Sequence, residues 1–298
     1  MATSKFVIAT ESKGFETIKQ LLQQQVPYHF ILGVRDTKST KAAYNDLKFD
    51  SLKHTICILP LDLSHLKSVQ HFAQQALSQL ASNKLDYLFL NAGMLDDASG
   101  LGPNGSEWCE GYVVNHLAQH YLVHLLRDTL ADSKSRLVIV SSGAIRGLRG
   151  QDPATLDVDL KANSGAGFRV VYSASKFVQL LGTHYWRRAL PWCQVIAVSP
   201  GLIPNTKLAQ TMSLSMDMPD AKTIPEGAIQ GSHSTGAQNL LRAFTITDIP
   251  ADPEQIFLTS WGEWWPKDVY AISLDTALQD KWCLSKADIE SSNGFNGQ

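Results

Sequence analysis

Short apolar runs alternate with helical patterns along most of the chain. The runs are rich in Val, Ile and Leu and are continuous, which is typical of parallel strands that are buried on both faces of a sheet. We predict seven strands, at Phe6–Ala9, His29–Val34, Thr55–Leu59, Leu85–Leu90, Arg136–Val140, Gln194–Val198 and Gln255–Leu258.

Apolar residues at helical spacing fill most of the intervals between these runs. The segments Tyr112–Leu130 and Ser173–Leu190 are long and strongly helical. Strands that alternate with helices predict the α/β class, with a doubly wound parallel sheet covered on both faces. No repeat or linker divides the chain, so we predict a single domain over residues 1–298.

Two long segments break the alternation. Gly147–Arg169 has no clear period, and Leu202–Gly236 contains prolines and a loose set of methionines. Long unpatterned segments of compact domains are usually functional loops, and both follow predicted strands at the sheet edge where α/β folds bind ligands. We predict that residues 202–236 form a lid over a substrate.

Composition narrows the function classes. The chain has 298 residues, 44% of them hydrophobic, and a net charge of −2 without a Lys/Arg cluster. These values argue against nucleic-acid or membrane partners. The four cysteines are far apart, and neither a signal peptide nor a membrane span is evident. We therefore expect a cytoplasmic protein without a metal site or disulfide framework.

The strongest chemical signal is the sequence YSASK, from Tyr172 to Lys176. Residues four apart on a helix share one face, so the phenol and the amine lie about one turn apart. The unperturbed pKa of tyrosine is ~10, and a nearby ammonium lowers it toward the range useful for acid-base catalysis. The pair therefore predicts a catalytic acid and its activating cation.

Other polar residues and glycines stand at the ends of predicted strands. Ser142 closes one strand, Asn91 and Gly93 follow another, and Pro200-Gly201 follows a third. Asn115 is a polar amide early in a largely apolar helical segment. Because the carboxyl ends of parallel strands meet at one sheet edge, these residues predict a single site.

This set of residues resembles the short-chain dehydrogenase/reductase superfamily, from about residue 5 to about residue 260. Within it, the phrases GFETIKQLL, VVNHLAQHYLVHLL and VSPGLIPNTKL resemble fungal members that are distant relatives of retinol dehydrogenases and protochlorophyllide reductases. The resemblance implies a Rossmann-like fold. It also implies homodimers or homotetramers formed through the helices of Tyr112–Leu130 and Ser173–Leu190.

The resemblance also implies roles for individual residues. Tyr172 would be the general acid, Lys176 would lower its pKa and hold a nicotinamide ribose, and Ser142 would orient a carbonyl. Asn115 would anchor a water that relays protons to Lys176. A dinucleotide would contact Thr10, Ser12, Lys13, Gly14, Arg35, Asp62, Asn91, Gly93, Lys176, Pro200 and Gly201.

The end of the second strand bears on the choice of cofactor. Relatives that prefer NAD place an acid in the slot that Val34 occupies here. Arg35 instead offers a cation for a 2′-phosphate, which favours NADP(H). Asp36 keeps the alternative open, because a register error of one residue would turn it into the acid that binds NAD.

The phosphate loop departs from the family pattern. Its glycines normally allow a tight turn and a close approach to the pyrophosphate. Between Thr10 and Phe15 the only glycine is Gly14, and Glu11 places a negative charge near an anion site. Two alternatives follow: a diverged loop that still binds the dinucleotide through Lys13 and the helix N-terminus, or weakened or lost binding.

Three histidines, His116, His120 and His124, recur every four residues on one helix face. No acidic or cysteine partner is near them in the sequence, so we predict a packing or interface role and no metal site.

Three function classes remain open at this point. The first is an NADPH-dependent reductase of a carbonyl in a small, fairly apolar molecule, such as a secondary metabolite. The second is a non-redox isomerase, cyclase or dehydratase that uses Tyr172, Lys176 and Ser142 on the same fold. The third is a binding protein with a vestigial site, which the intact catalytic set argues against.

Overall fold

Seven parallel strands form one sheet in the computed structural model, which describes residues 3–10, 15–148, 152–201, 203 and 233–292. The strand order is β3-β2-β1-β4-β5-β6-β7, so the chain reverses its direction of travel across the sheet between β3 and β4. The strands are β1 (Lys5–Thr10), β2 (Tyr28–Val34), β3 (Thr55–Pro60), β4 (Tyr87–Leu90), β5 (Arg136–Val140), β6 (Gln194–Val198) and β7 (Phe257–Leu258).

All seven predicted strands are present, and the doubly wound parallel sheet is confirmed. Two strands are shorter than predicted, because β4 begins at Tyr87 and β7 contains only Phe257 and Leu258. In both cases the backbone just before the strand still hydrogen-bonds to a neighbouring strand, through Asp86 and Ile256.

Helices cover both faces of the sheet. They are α1 (Phe15–Leu21), α2 (Thr37–Asn45), α3 (Leu66–Leu80), α4 (Glu110–Tyr112), α5 (Ala118–Leu125), α6 (Arg127–Ser133), α7 (Leu156–Asp159), α8 (Phe168–Ala189), α9 (His233–Thr245), α10 (Thr276–Trp282) and α11 (Lys286–Ser292). Short 3₁₀ helices lie at Pro103–Gly105, Gly143–Leu148, Pro153–Thr155 and Lys267–Leu274. No helix of the described ranges is long and apolar enough to cross a membrane.

Successive strand residues point into two separate core layers, as strand geometry requires. Val7 and Ala9 pack in the layer of α1 and α9, whereas Ile8 packs in the layer of α3, α5 and α8. The central strands are buried on both faces toward their carboxyl ends and are apolar there, whereas β3 at the sheet edge is only half-buried.

The predicted helix Tyr112–Leu130 is divided in the structure. A π turn, Val113–Leu117, separates α4 from α5, and the chain breaks again at Leu126 before α6. A π turn holds one residue more than an α turn, and such turns are frequent at functional sites. The apolar spacing predicted helix correctly but carried no signal of this insertion.

Helix α8 begins at Phe168, ahead of the predicted Ser173, because Val171 is fully buried against the backbone at Gly111. The segment 147–169, predicted to be irregular, contains a 3₁₀ helix and the short α7. The predicted lid 202–236 lies outside the described residues, except for Ile203 and the start of α9.

The C-terminal segment, Lys267–Ser292, was not predicted to be ordered and packs across α5 and α8. Trp282, Cys283 and Ile289 are buried there. Arg188 of α8 donates hydrogen bonds to Gln279 and to Asp280, which fixes α10 to the helix layer.

Candidate functional site

The site lies at the carboxyl ends of β1, β4, β5 and β6, where the strand order reverses. Register places Thr10 opposite Leu90, so β1 ends beside the turn that follows β4. The Thr10 hydroxyl is fully buried and accepts hydrogen bonds from the backbone N–H groups of Asn91 and Ala92, each at 3.2 Å. The described contacts of Thr10 therefore shape the turn after β4.

Tyr172 lies on the first half of α8, facing the end of β5. Its side chain is buried, and it forms a hydrogen bond with the side chain of Ser142. Burial raises the pKa of Tyr172, and the hydrogen bond with Ser142 opposes this rise without cancelling it. The phenol therefore keeps its proton at neutral pH, and it lies beside the serine expected to orient a substrate oxygen.

Lys176 lies one turn further along α8 and is buried, with 3% of its surface exposed. Its Nζ donates to the Val140 carbonyl at 2.8 Å and to Oε1 of Gln179 at 3.1 Å. Burial without an acidic partner lowers the pKa of Lys176 to about 7. Burial dominates the pKa of Tyr172, so the lowering that the sequence predicted is not seen in this structure.

Asn115 occupies the π turn and is fully buried. Its side-chain amide accepts from the Met94 N–H at 2.8 Å and donates to the Met94 carbonyl at 3.0 Å and to Ser175 Oγ at 3.0 Å. The side chain thus joins the turn after β4 to α8, and the π geometry aims it between them.

The backbone carbonyl of Asn115 accepts a hydrogen bond from the Gln179 amide at 2.9 Å. Gln119 also donates to this carbonyl, at 3.3 Å. Gln179 thereby links Lys176 directly to Asn115, where the family resemblance predicted a relay water. Sequence reasoning missed Gln179, although a polar residue three positions after Lys176 on the buried helix face was the available signal.

The turn after β4 leaves room at the centre of the site. A side chain at Gly93 would approach Asn115 Oδ1 and Lys176 Nζ to 3.4 Å each. In the described part of the chain, Asn91 Nδ2 and Ser141 Oγ are buried without a hydrogen-bond partner. Buried polar atoms are almost always paired, so these two point to a ligand at this edge.

The end of β2 presents charged groups to the same edge. Val34 is buried, Arg35 is exposed, and the Asp36 carboxylate accepts from the N–H groups of Lys38 and Ser39 at 3.0 Å each. Asp36 is therefore the N-cap of α2. Capping the helix gives the Asp36 carboxylate a structural role that needs no ligand. It therefore weakens the alternative in which Asp36 is the acid that binds NAD.

The charges of Asp62 and Arg35 both act on the carboxyl of Glu110 at the start of α4. Burial raises the pKa of Glu110, Asp62 raises it further, and Arg35 lowers it. The Asp62 carboxylate accepts hydrogen bonds from the N–H and hydroxyl groups of Ser64 at 2.9 and 2.8 Å. Asp62 and Arg35 thus both lie near Glu110, and their contact with a dinucleotide stays a prediction.

The chain leaves β6 through Pro200 and Gly201. Gly201 has a φ of +84°, a left-handed conformation that favours glycine. Asn239 of α9 donates to the Pro200 carbonyl at 3.1 Å and holds this turn against the sheet edge. The predicted phosphate-loop residues Ser12, Lys13 and Gly14, together with Glu11, lie outside the described residues.

The three histidines face away from this cleft, toward the C-terminal segment. His116 Nε2 lies 3.0 Å from the Trp282 carbonyl, and His120 Nε2 lies 2.9 Å from the Leu284 carbonyl. His124 Nε2 also contacts the Leu284 carbonyl, at 3.1 Å. Burial lowers the pKa of all three imidazoles, that of His116 to about 4.

The chain is similar in sequence to short-chain dehydrogenases. Residues 7–151 match the family model described as short chain dehydrogenase. The chain is 53% identical over 293 residues to a short-chain dehydrogenase/reductase of Pestalotiopsis microspora, which covers 96% of this chain and 98% of that protein. It is 34% identical over 115 residues to retinol dehydrogenase 13 of Homo sapiens, covering 38% of this chain and 34% of that protein.

Solved structures share the architecture at low sequence identity. A crystal structure of NADPH bound carbonyl reductase from chicken fatty liver matches with a TM-score of 0.62 at 17% identity, covering 89% of this chain and 95% of that one. The carbonyl reductase Sniffer of D. melanogaster matches with a TM-score of 0.62 at 16% identity, covering 88% and 99%. At these identities the likeness shows the fold alone.

Proposed function

The chain belongs to the short-chain dehydrogenase/reductase family of oxidoreductases, and from that premise we propose that it is an NADPH-dependent reductase of a carbonyl in a small, fairly apolar molecule. One observation carries the proposal. Tyr172 is buried, still protonated and hydrogen-bonded to Ser142, with Lys176 one helical turn away at the reversal point of the sheet.

Each group has a task in the reduction. The Ser142 hydroxyl orients the substrate carbonyl and stabilises the oxyanion that develops on its oxygen. Tyr172 donates its proton to that oxygen, and its raised pKa keeps the proton available. Lys176, with a pKa of about 7, supplies positive charge near the phenol when it is protonated. The nicotinamide cofactor, when bound, supplies the hydride.

Residues at the sheet edge fit such a cofactor. Asn91 offers an unused buried amide, and Gly93 leaves space beside Lys176. At the end of β2, Arg35 is exposed and can pair with a 2′-phosphate, whereas Asp36 is engaged as a helix cap. These observations support NADP(H) over NAD. The structure of the chicken carbonyl reductase, which shares this fold, is NADPH bound, and this agrees with the choice.

The experiment is a titration of the purified protein with NADPH, followed by calorimetry and nucleotide fluorescence. We expect saturable binding, tighter than for NADH, and oxidation of NADPH with a panel of apolar ketones and aldehydes. Tyr172→Phe should abolish turnover and retain binding, whereas Tyr185→Phe on the same helix should change neither. Failure to bind at millimolar NADPH would overturn the proposal.

The altered phosphate loop favours a second candidate. With one glycine between Thr10 and Phe15, and with Glu11 close by in sequence, dinucleotide binding would be weakened. Tyr172, Lys176 and Ser142 would then catalyse isomerisation, cyclisation or dehydration. Consumption of a substrate without any change in nicotinamide absorbance would favour this candidate over the reductase.

A further inference from the structure

A group of metal-ligand side chains lies where the C-terminal segment packs on the helix layer. His116 and His120 project from neighbouring turns of one helical stretch, and Cys283 reaches them from the C-terminal segment. All three are buried, and one ring nitrogen of each histidine and the cysteine Sγ lie within 4.8 Å of one another. No sequence pattern indicates this group, because Cys283 is remote from the histidines along the chain.

The backbone around Cys283 orients both imidazoles. The carbonyls of Trp282 and Leu284, on either side of Cys283, accept from the Nε2 atoms of His116 and His120. The Trp282 carbonyl places the proton of His116 on Nε2 and leaves its Nδ1 lone pair free. His120 Nε2 shares the Leu284 carbonyl with His124 Nε2, which lies 3.1 Å from it, and donation by His120 to that carbonyl leaves its Nδ1 lone pair free as well. In the described part of the chain, the buried His120 Nδ1 has no hydrogen-bond partner. Histidines that bind metals almost always donate their other N–H to a carbonyl or carboxylate in this way.

Gly182 lets the His116 ring lie close against α8 and beside Cys283. Gly182 lies in the middle of α8, where glycine costs about 1 kcal/mol relative to alanine. A Cβ there would approach His116 Cε1 to 2.8 Å, His116 Nδ1 to 3.3 Å and Cys283 Sγ to 3.8 Å. A small cavity continues from His116 and His120 to Gln119, whose Oε1 is buried without a partner in the described ranges.

The protonation states of the three side chains suit a bound metal cation. Burial keeps the histidines neutral, so their lone pairs are available at neutral pH. Burial also raises the pKa of the Cys283 thiol, so a thiolate forms there only when a cation offsets its charge. Two imidazoles and one thiolate are the ligands of a borderline-soft divalent ion such as Zn²⁺.

We propose that His116, His120 and Cys283 bind one Zn²⁺ ion, with a water in the cavity beside Gln119 as the fourth ligand. Binding forms two Zn–N bonds and one Zn–S bond and releases the thiol proton to solvent. Tetrahedral geometry needs donor separations of roughly 3.3 to 3.6 Å, so modest rotations of the three side chains complete the site. The ion would join the C-terminal segment to the helical stretch that carries Asn115.

The test measures zinc by mass spectrometry in the full-length protein, dialysed and then supplied with ZnCl₂. We expect one zinc per chain, and Co²⁺ in its place should give a thiolate-to-cobalt absorption band. Cys283→Ser should lower the affinity for Zn²⁺ at least about 100-fold and abolish the band, because it removes a direct ligand. Cys193→Ser, another buried free cysteine, is the matched control and should change neither.

Two results would overturn the proposal. One is a folded wild-type protein that neither retains zinc nor gives the cobalt band. The other is a Cys283→Ser variant that binds both ions as tightly as the wild type. If that variant does not fold, Gly182→Ala, whose added methyl group occupies the space between His116 and Cys283, must weaken zinc binding instead. The readouts need no substrate or NADPH, so the outcome is independent of the proposed reductase activity.

Discussion

The cleft face and the histidine face of the helix layer bury titratable side chains in different ways. On the cleft face, Lys176 has no acidic partner, and burial brings its pKa to about 7. On the opposite face, burial brings the pKa of His116 to about 4. Both side chains bond to backbone carbonyls, yet only the lysine stays close to its protonation midpoint at neutral pH.

The difference follows from the unperturbed pKa of each side chain. Desolvation lowers the pKa of any buried base. A lysine that begins near 10.5 arrives at neutrality, whereas a histidine that begins near 6.5 becomes permanently neutral. The same burial therefore makes a proton-exchanging group on one face and a fixed electron-pair donor on the other. Substitutions on the two faces should therefore have different effects.

Lys176→Met should give the largest effect. It removes the charge beside Tyr172, and we expect turnover to fall about 10²- to 10⁴-fold, the range for loss of acid-base assistance. Steady-state kinetics with an active ketone measure the loss. Lys84→Met, on an exposed loop before β4, is the control and should leave turnover unchanged.

Lys176→Met also tests the low pKa of the buried amine, through the pH dependence of the free energy of unfolding. Between pH 7 and 10 the unfolded chain binds a proton at Lys176 that the folded chain has released. Raising the pH should therefore stabilise the wild type relative to Lys176→Met, by up to about 1.4 kcal/mol per pH unit. Urea unfolding at several pH values measures this, and a pH-independent difference would contradict the low lysine pKa.

Trp282→Ala should act on the histidine face, and on stability rather than chemistry. Trp282 is buried against Trp108 and Tyr112, so its truncation should cost about 3–5 kcal/mol of unfolding free energy. Trp192→Ala, at a site that is 71% exposed, should cost less than about 0.5 kcal/mol. Equal losses in the two variants would show that the C-terminal segment contributes little.

Gln179→Glu should change the pKa of Lys176. A carboxylate 3.1 Å from Nζ would raise the pKa of Lys176, and we expect its limb of the pH–rate profile to move up by about one unit or more. Gln119→Glu is the matched control, because Gln119 bonds to the same Asn115 carbonyl but not to the lysine. An unmoved limb in Gln179→Glu would exclude the amide as a determinant of lysine charge.

Asp36→Asn should have the smallest effect. Asparagine caps helices as well as aspartate does, so stability should change by only a few tenths of a kcal/mol. If Asp36 is only the cap of α2, the ratio of NADPH to NADH affinity should stay the same. A clear loss of NADH binding alone would assign Asp36 to the ribose and reverse the cofactor proposal.

Sequence patterns predicted the sheet well, because each buried strand leaves its own local apolar run. They also placed Tyr172, Lys176, Ser142 and Asn115 at one edge, since parallel strands share that edge. Contacts between remote segments left no local pattern. The approach of Cys283 to the histidines and the bridge made by Gln179 depend on packing between segments, and only the structure shows them.

The π turn at Val113–Leu117 has a consequence for how this chain can change over time. One inserted residue rotates everything after it by about 100° around the helix axis. The insertion that aims Asn115 at the cleft therefore also sets the direction of His120 and His124. A deletion there would displace both groups of side chains together. Substitutions can therefore change either face separately, but a change in the length of this turn redirects both.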